Sequence, residues 1–239
     1  MKEFTSKDTE TRTQEIITAA RQLFSQKGYQ ATSIDEIARA VGVTKGSIYH
    51  HFENKEAILE AVADALSAAV IDIVHQAAAR QDLNAVQKIN RIVEQTYAYR
   101  IDRRQEYRQL ASSLPIQGAS PDAAVPGGPM RKLLFEKVLN AVLDPYVAIL
   151  RQGIQEGTFD LAYPQEAARF YLRIADLLRD ELAVLAASGD RQAGLQTVRF
   201  YEQALERVLA APAGSFEFTK VVMAFFFPVQ GGQGPVVRS

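Results

Sequence analysis

Cysteine is absent from the 239 residues of this sequence, which excludes disulfide bonds and thiolate metal sites. A chain without cysteine fits a reducing compartment, and we expect a cytoplasmic protein. The N-terminus is polar and lacks the apolar run of a signal peptide. No stretch reaches the roughly 20 apolar residues that span a bilayer, so we expect no membrane partner.

Signatures of catalysis are also missing. The three histidines, His50, His51 and His75, show none of the spacings of a zinc site. The sequence has no phosphate-binding glycine loop, no GxGxxG and no GxSxG nucleophile elbow. We therefore predict that the chain is not an enzyme and that it holds no metal and no cofactor.

The formal net charge is only −1, so the chain as a whole does not attract DNA or anionic membranes. Any attraction to nucleic acid must come from the placement of individual cations. The candidates in the first quarter of the chain are Arg12, Lys27, Arg39, Lys45 and Lys55.

The most informative stretch covers residues 33–52, SIDEIARAVGVTKGSIYHHF. Ser33 and Glu36 have the spacing of a capping box, which predicts a helix start, and Gly42 predicts its end. Thr44 can cap a second short helix. Apolar residues in both segments recur at helical spacing, which predicts two helices with one buried face. Such a pair is typical of the helix-turn-helix, although an ordinary surface hairpin gives a similar pattern.

The second helix leaves basic, polar and aromatic side chains on its outer face. We predict that Tyr49 and Lys55 contact phosphates. Lys45, Ser47 and His50 are predicted to lie nearest to base edges. The residues that cap the two helices are expected to anchor the DNA backbone. The full set of predicted DNA-binding residues is Ser33, Thr44, Lys45, Gly46, Ser47, Tyr49, His50 and Lys55.

These residues carry a resemblance to a known family. The segment GVTKGSIYHHFENKEAIL, preceded by TSIDEIARA, resembles the DNA-binding segment of the TetR/AcrR family of bacterial repressors. The resemblance covers about residues 11–62 and implies a three-helix DNA-binding domain, followed by a larger helical domain. It also implies a DNA-backbone contact by Arg12, although a solvated arginine fits the sequence as well. The agreeing positions are Phe24, Gly28, Thr32, Ile37, Ala38, Gly42, Val43, Lys45, Gly46, Tyr49, His51, Phe52, Lys55 and Leu59.

Helical patterning continues beyond this segment, and we predict an all-α fold. Residues 1–10 are expected to be frayed, and a kink or a helix break is expected at Asp144 and Pro145. The predicted helices cover about 11–27, two short segments within 33–52, 54–80, one or two helices from 85, 131–156, 164–187 and 191–210.

We divide the chain into three parts. Residues 1–53 form the predicted helix-turn-helix DNA-binding domain, and residues 54–211 form a helical ligand-binding and dimerisation domain. Residues 212–239 form an atypical C-terminal tail. The tail begins apolar, which favours packing on the body or on a partner subunit, and ends in a flexible, glycine-rich composition.

Between residues 85 and 180, aromatic side chains occur with a few charges, the composition of a pocket that orients a small apolar molecule. Core aromatics give a similar pattern, so this prediction depends on the cluster and on the family resemblance. The charges fit a salt-bridged helix surface as well. The loop 115–129, rich in proline and glycine, is a candidate entrance. The predicted pocket residues are Tyr97, Arg100, Tyr107, Phe135, Tyr146, Arg173 and Asp176.

A homodimer is expected, because one recognition helix spans too few base pairs for specificity. Segments 164–187 and 191–210 carry more apolar residues than a two-helix edge needs internally, so we predict the interface there. Together with the resemblance, the sequence predicts a ligand-responsive transcriptional repressor. The predicted repressor binds a palindromic operator in double-stranded DNA and is released by a small, mostly apolar effector. The alternative is an all-helical enzyme or small-molecule binding module without specific DNA binding.

Overall fold

The computed structural model describes residues 6–103 and 129–228, and every regular element within these ranges is an α-helix. The predicted all-α fold is confirmed. Among the described helices, none combines the length and the apolar character that crossing a membrane requires. The helices are α1 (Ser6–Lys27), α2 (Ile34–Val41), α3 (Lys45–His51), α4 (Lys55–Ala79), α5 (Ala85–Asp102), α6 (Pro129–Gln155), α7 (Pro164–Ser188), α8 (Arg191–Leu209) and α9 (Thr219–Phe226).

Most helix ends fall where the sequence supplies a cap. Asn54 accepts a hydrogen bond from the amide of Ala57 at 2.8 Å and begins α4. Gly189 ends α7 in the left-handed conformation, with a φ of 73°. Helix α1 begins earlier than expected, so residues 6–10 are helical rather than frayed. Within it, Thr13 Oγ1 donates to the carbonyl of Thr9 at 2.9 Å, one helical turn back.

Helix α6 continues through Pro145, so the helix break considered there does not occur. A proline inside a helix removes one backbone hydrogen bond and costs about 3 kcal/mol. On both sides of the proline, however, side chains are buried against neighbouring helices, including Val142, Tyr146 and Ile149. Burial of each such side chain contributes about 1.5–3 kcal/mol, which offsets the loss.

Two hydrophobic clusters form the core, and α4 belongs to both. The first, which we call the head, joins α1, α2 and α3 to α4 as far as Leu66. The second, which we call the body, joins α4 from Val74 onward to helices α5–α9. Helix α4 packs most extensively along α6. One continuous helix therefore connects the head to the interior of the body.

The apolar segment after α8 packs on the body. Phe216, Phe218 and Phe226 are buried in its cluster. Glu202 of α8 holds the start of α9, because its Oε1 accepts hydrogen bonds from the amides of Phe218 and Thr219, each at 2.6 Å. Residues 216–227 are thus part of the body core. The glycine-rich end that was predicted to be flexible lies in residues 229–239, outside the described residues.

Candidate functional site

Helices α2 and α3 form a helix-turn-helix whose ends are set by capping residues. Ser33 Oγ accepts a hydrogen bond from the amide of Glu36 at 3.3 Å, and Glu36 Oε2 accepts one from the amide of Ser33 at 2.9 Å. Gly42 ends α2 with a φ of 76°, a conformation that favours glycine. Thr44 Oγ1 accepts from the amide of Ser47 at 3.2 Å and begins α3. These caps, all visible in the sequence, fix where both helices start and where α2 stops.

The inner face of this pair fixes α3 on the head. Ile37 and Ile48 are fully buried and belong to one cluster with Phe24 of α1. A polar contact adds to this packing, because Thr13 Oγ1 of α1 lies 2.9 Å from His51 Nδ1. The sequence analysis gave His51 no such role, since a contact between residues 38 positions apart has no local signal. The outer face of α3 is therefore presented by a rigidly held helix.

That outer face carries the side chains predicted to read DNA. Tyr49 is 47% exposed, which is high for an aromatic residue, and Lys45 and His50 are also exposed. Ser47 is half-buried. A Cβ built at Gly46 would meet no atom closer than 3.8 Å, so packing within the chain does not require glycine there. Exposed hydroxyl, ammonium and imidazole groups on one helix can bind phosphate oxygens and base edges.

The hydroxyls of Ser33 and Thr44 differ in whether their hydrogen is free to bond to a phosphate. Ser33 Oγ donates to Glu36 Oε2 at 2.8 Å in addition to accepting its amide, so both functions of this hydroxyl are used. Thr44 Oγ1 accepts the amide of Ser47, and its hydrogen has no acceptor among the described residues. Of the two predicted backbone anchors, Thr44 thus has the readier donor for a phosphate.

Three of the five candidate cations near the N-terminus pair with acids of the same chain. Such exposed ion pairs contribute about 0–1 kcal/mol, so phosphates can replace the acids at little cost. The hydrogen bond with Asp35 raises the pKa of Lys45, which keeps this ammonium charged at neutral pH. The pairs are Arg12 with Glu15 at 2.6 Å, Lys27 with Glu36, and Lys45 with Asp35 at 2.9 Å.

Lys55, at the start of α4, lies in a different setting from the one predicted. Its Nζ donates to the carbonyl oxygens of Tyr29 and Thr32, each at 3.1 Å. The same atom lies 4.2 Å from the centroid of the Tyr29 ring. An ammonium has three hydrogens, so one hydrogen is left for a phosphate. The half-buried lysine joins the α1–α2 connection to α4, a role that the sequence analysis missed.

The second site is a cavity of about 180 Å³ in the body, lined by residues of α4, α5, α6 and α7. Its wall is mostly aliphatic and aromatic, with residues such as Val70 of α4, Ile92 of α5 and Val142 of α6. A concave, largely apolar space with a few polar groups is the usual form of a small-molecule site.

Most of the predicted pocket residues meet in this cavity. Arg173 is not among the described residues that line it. Its guanidinium carbon lies 6.0 Å from the centroid of the Phe135 ring. Tyr107 and most of the predicted entrance, 115–129, lie outside the described residues. The predicted residues that do line the cavity are Tyr97, Arg100, Phe135, Tyr146 and Asp176.

Two contributions to the wall are absent from the predicted set of pocket residues. Helix α4 supplies Leu66, Ser67, Val70 and Val74, whose apolar stripe was visible but whose facing partner was not. Helix α7 supplies Arg179, which forms an ion pair with Asp176 three positions earlier. That spacing was the available signal for Arg179.

Two tyrosines pack together at the cavity wall. The ring centroids of Tyr146 and Tyr171 lie 5.0 Å apart. Burial raises the pKa of Tyr171 to about 12, and burial followed by the neighbouring Tyr171 raises the pKa of Tyr146 well above its usual range. Both phenols are therefore neutral hydrogen-bonding groups at physiological pH.

Within residues 6–103 and 129–228, no three His, Asp or Glu side chains lie close enough together to hold a metal ion. The described chain thus combines a helix-turn-helix head with a helical body around an apolar cavity. The sequence model of the tetR family of bacterial regulatory proteins matches residues 16–62. The resemblance found in the sequence is confirmed for these residues. The matching family is described as one of bacterial regulatory proteins.

Comparisons with individual proteins agree with this match to the tetR family. The chain is 38% identical over 106 residues to the transposon Tn10 TetC protein of Escherichia coli, which covers 44% of this chain and 52% of TetC. It is 49% identical over 45 residues to IcaR of Staphylococcus aureus, the HTH-type negative transcriptional regulator of the biofilm operon icaADBC, covering 19% of this chain and 24% of IcaR. The chain thus spans about half the length, or less, of these curated relatives.

The whole fold is similar to that of the transcriptional regulator FadR from Bacillus subtilis, solved in complex with stearoyl-CoA. The TM-score is 0.55 at 20% sequence identity, and the match covers 82% of this chain and 97% of FadR. At this identity the likeness concerns the fold alone.

Proposed function

We propose that this chain is a ligand-responsive transcriptional repressor, a homodimer that binds a palindromic operator and that a small, mostly apolar effector releases. The observation that carries the proposal is the course of α4. Its first half packs in the head beside α2 and α3, and its second half forms a wall of the cavity. Lys55 and Val70 lie about 22 Å apart along this helix, at 1.5 Å per residue. A molecule in the cavity therefore touches the same helix that holds the helix-turn-helix.

In the proposed complex, α3 lies in the major groove of double-stranded DNA. Lys45, Ser47 and His50 lie nearest to base edges, and Tyr49 donates its exposed hydroxyl to a phosphate. Gly46, without a side chain, lets the first turn of α3 approach the DNA closely. The name of IcaR, a negative transcriptional regulator, supports repression as the outcome of binding.

The test is binding to the DNA immediately upstream of the chain's own gene, followed by fluorescence anisotropy with excess non-specific competitor. We expect specific binding that Lys45→Met changes at single base pairs, by about 1–3 kcal/mol if the lysine reads a guanine. Tyr49→Phe should instead weaken binding to all operator variants alike. Binding no tighter than that of competitor DNA would favour the other candidate, a small-molecule binding module.

Release follows from the mechanics of α4. An effector shifts the equilibrium only if it binds one arrangement of the heads more tightly than the other. A tilt of α4 at its cavity end moves the head and so changes the spacing of two recognition helices in a dimer. FadR, which has a similar fold, was solved in complex with stearoyl-CoA, which supports regulation by a small molecule.

The homodimer is supported by an exposed apolar stripe on α7. Phe170, Leu177 and Val184 recur every seven residues and are 49%, 55% and 66% exposed. Phe200 and Val208 extend the exposed apolar surface onto α8. Other apolar residues of these helices, such as Leu178, Leu182 and Val198, already belong to the body core, so the stripe is surplus to internal packing. Contiguous exposed apolar residues mark interaction surfaces. Light scattering at micromolar concentration should give the mass of a dimer.

A further inference from the structure

Among the described residues that line the cavity, positive charges outnumber negative ones. Three of the described residues that line it are charged, namely Arg100, Asp176 and Arg179. Asp176 and Arg179 form an ion pair within α7, so their charges cancel. Arg100, in the last turn of α5, has no acidic partner among the described residues. Its guanidinium carbon lies 5.3 Å from the centroid of the Tyr97 ring.

This cation acts on the polar groups of the cavity. Burial raises the pKa of both Tyr97 and Tyr146, and the charge of Arg100 opposes the rise in each. Its field therefore reaches two different walls, on α5 and on α6. Arg100 is half-buried, so water screens its charge less than that of a surface arginine.

The polar side chains of the described cavity wall are mainly hydrogen-bond donors. A guanidinium is a donor only, with five hydrogens. Tyr146 and Tyr171 also line the cavity, and each is a neutral phenol whose hydroxyl can donate to a ligand. The carboxylate of Asp176, the acidic group among the described lining residues, is already engaged by Arg179. A ligand that suits this wall has several acceptor lone pairs and a negative charge, which describes a carboxylate.

The volume limits the rest of the ligand. An apolar protein cavity of about 150 Å³ holds one benzene molecule, so about 180 Å³ has room for one substituted ring. Stearoyl-CoA, the molecule bound by FadR, is far larger than this space. Aromatic rings of Tyr97 and Phe135 and the aliphatic side chains of α4 provide apolar contacts for a ring.

We propose that the cavity binds a small monoanionic amphiphile, a carboxylate on an apolar body of about one aromatic ring, with the carboxylate paired to Arg100. The inference rests on the proposed function in one respect, namely that the cavity is the effector site.

The test uses three probes of the same shape and different charge, namely benzoate, benzamide and benzylamine. Their affinities for the full-length protein without DNA are measured by ligand-detected NMR titration. We expect benzoate to bind most tightly and Arg100→Gln to weaken its binding about ten- to a hundredfold, with benzamide unaffected. Arg100→Lys should retain part of the preference for benzoate.

The matched control is Arg103→Gln. Arg103 lies one position after α5, and its guanidinium carbon is 4.6 Å from the centroid of the Tyr99 ring, outside the cavity wall. This variant should bind benzoate as the wild type does. Thermal melting establishes that the variants are folded, and the unchanged benzamide affinity of Arg100→Gln shows that its cavity is intact.

Benzamide or benzylamine binding as tightly as benzoate would overturn the proposal. So would the absence of benzoate binding at millimolar concentration, or a benzoate affinity that Arg100→Gln leaves unchanged. A separate measurement distinguishes a failure of the proposed ligand class from a failure of the proposed effector role. If benzoate binds through Arg100 and yet leaves operator affinity unchanged, the ligand class stands and the proposed effector role fails.

Discussion

Removal of the Lys55 ammonium separates two roles that this residue can have. The sequence predicts a phosphate contact, whereas the structure shows two hydrogen bonds to the carbonyls of Tyr29 and Thr32. Lys55→Met keeps most of the apolar stem and removes only the charged group. Lys45→Met is the matched control, because it makes the same change on the exposed face of α3, where the ammonium bonds to Asp35 alone.

The expected loss of stability follows from these contacts. A hydrogen bond to a charged group contributes about 1.5–3 kcal/mol, and partial exposure of Lys55 favours the lower end for each of its two bonds. The contact with the Tyr29 ring adds about 0.5–1 kcal/mol. Lys55→Met should therefore cost the head about 3.5–4 kcal/mol. Lys45→Met should cost at most about 1 kcal/mol, since its ion pair is exposed.

Two measurements distinguish the roles. Hydrogen exchange of head amides reports local stability, which is needed because the head and the body can open separately. Operator affinity as a function of salt reports phosphate contacts, each of which changes the slope by about 0.9. Loss of stability with an unchanged slope assigns Lys55 to the fold alone. Unchanged exchange with a slope reduced by about one would refute our reasoning from the carbonyl contacts and leave the sequence-based interpretation.

Three further predictions follow. Leu177→Asp places a charge in the exposed stripe of α7 and should give monomers in light scattering at micromolar concentration, with weaker operator binding, whereas a persistent dimer would place the interface elsewhere. Gly194→Ala should lower the melting temperature, since its Cβ would lie 2.4 Å from the Phe227 ring, and overpacking of about 1–3 kcal/mol exceeds the gain of about 1 kcal/mol in helix propensity. The hydrogen bond from Lys27 lowers the pKa of Glu36 from 4.5 to about 2. The ionised Glu36 carboxylate therefore contributes to stability above pH 4.5, and this contribution is lost as the pH falls towards 2. Glu36→Gln should flatten that part of the pH profile in thermal melts, and a profile unchanged by the substitution would contradict this assignment.

The head was largely predictable because its signals are local. The capping box of Ser33 and Glu36 spans three positions, and Gly42 and Thr44 mark the turn directly. What the sequence did not reveal are contacts between distant positions. Lys55 meets carbonyls 23 and 26 residues earlier, a pairing that depends on how α1, α2 and α4 pack together.

The body was predictable as helices and only in part as a site. Aromatic and charged residues between 85 and 180 indicated a pocket, but periodicity does not say which helix faces which. Arg173 and Asp176 looked equivalent in the sequence, whereas one lies off the cavity wall and the other on it. Pro145 also indicated a break that tertiary packing overrides. The free energy gained by burying several side chains of α6 outweighs the cost of one proline inside the helix. A local sequence pattern does not show how many side chains will be buried.

The energies required of a switch are consistent with a single polar contact in the cavity. A hundredfold loss of operator affinity requires that the effector bind the released arrangement about 2.8 kcal/mol more tightly than the DNA-bound one. A hydrogen-bonded pair with one charged partner contributes about 1.5–3 kcal/mol. Tyr97, beside Arg100, lies at the cavity wall and packs on α9, with its ring centroid 5.6 Å from that of Phe225. Helix α9 is fixed to α8 by Glu202. A ligand at Arg100 thus touches α4, which leads to the head, and Tyr97, which leads to α8 at the proposed dimer interface. Because the distance between two recognition helices depends on both connections, a contact made in only one arrangement of α4 and α5 is large enough to control DNA binding.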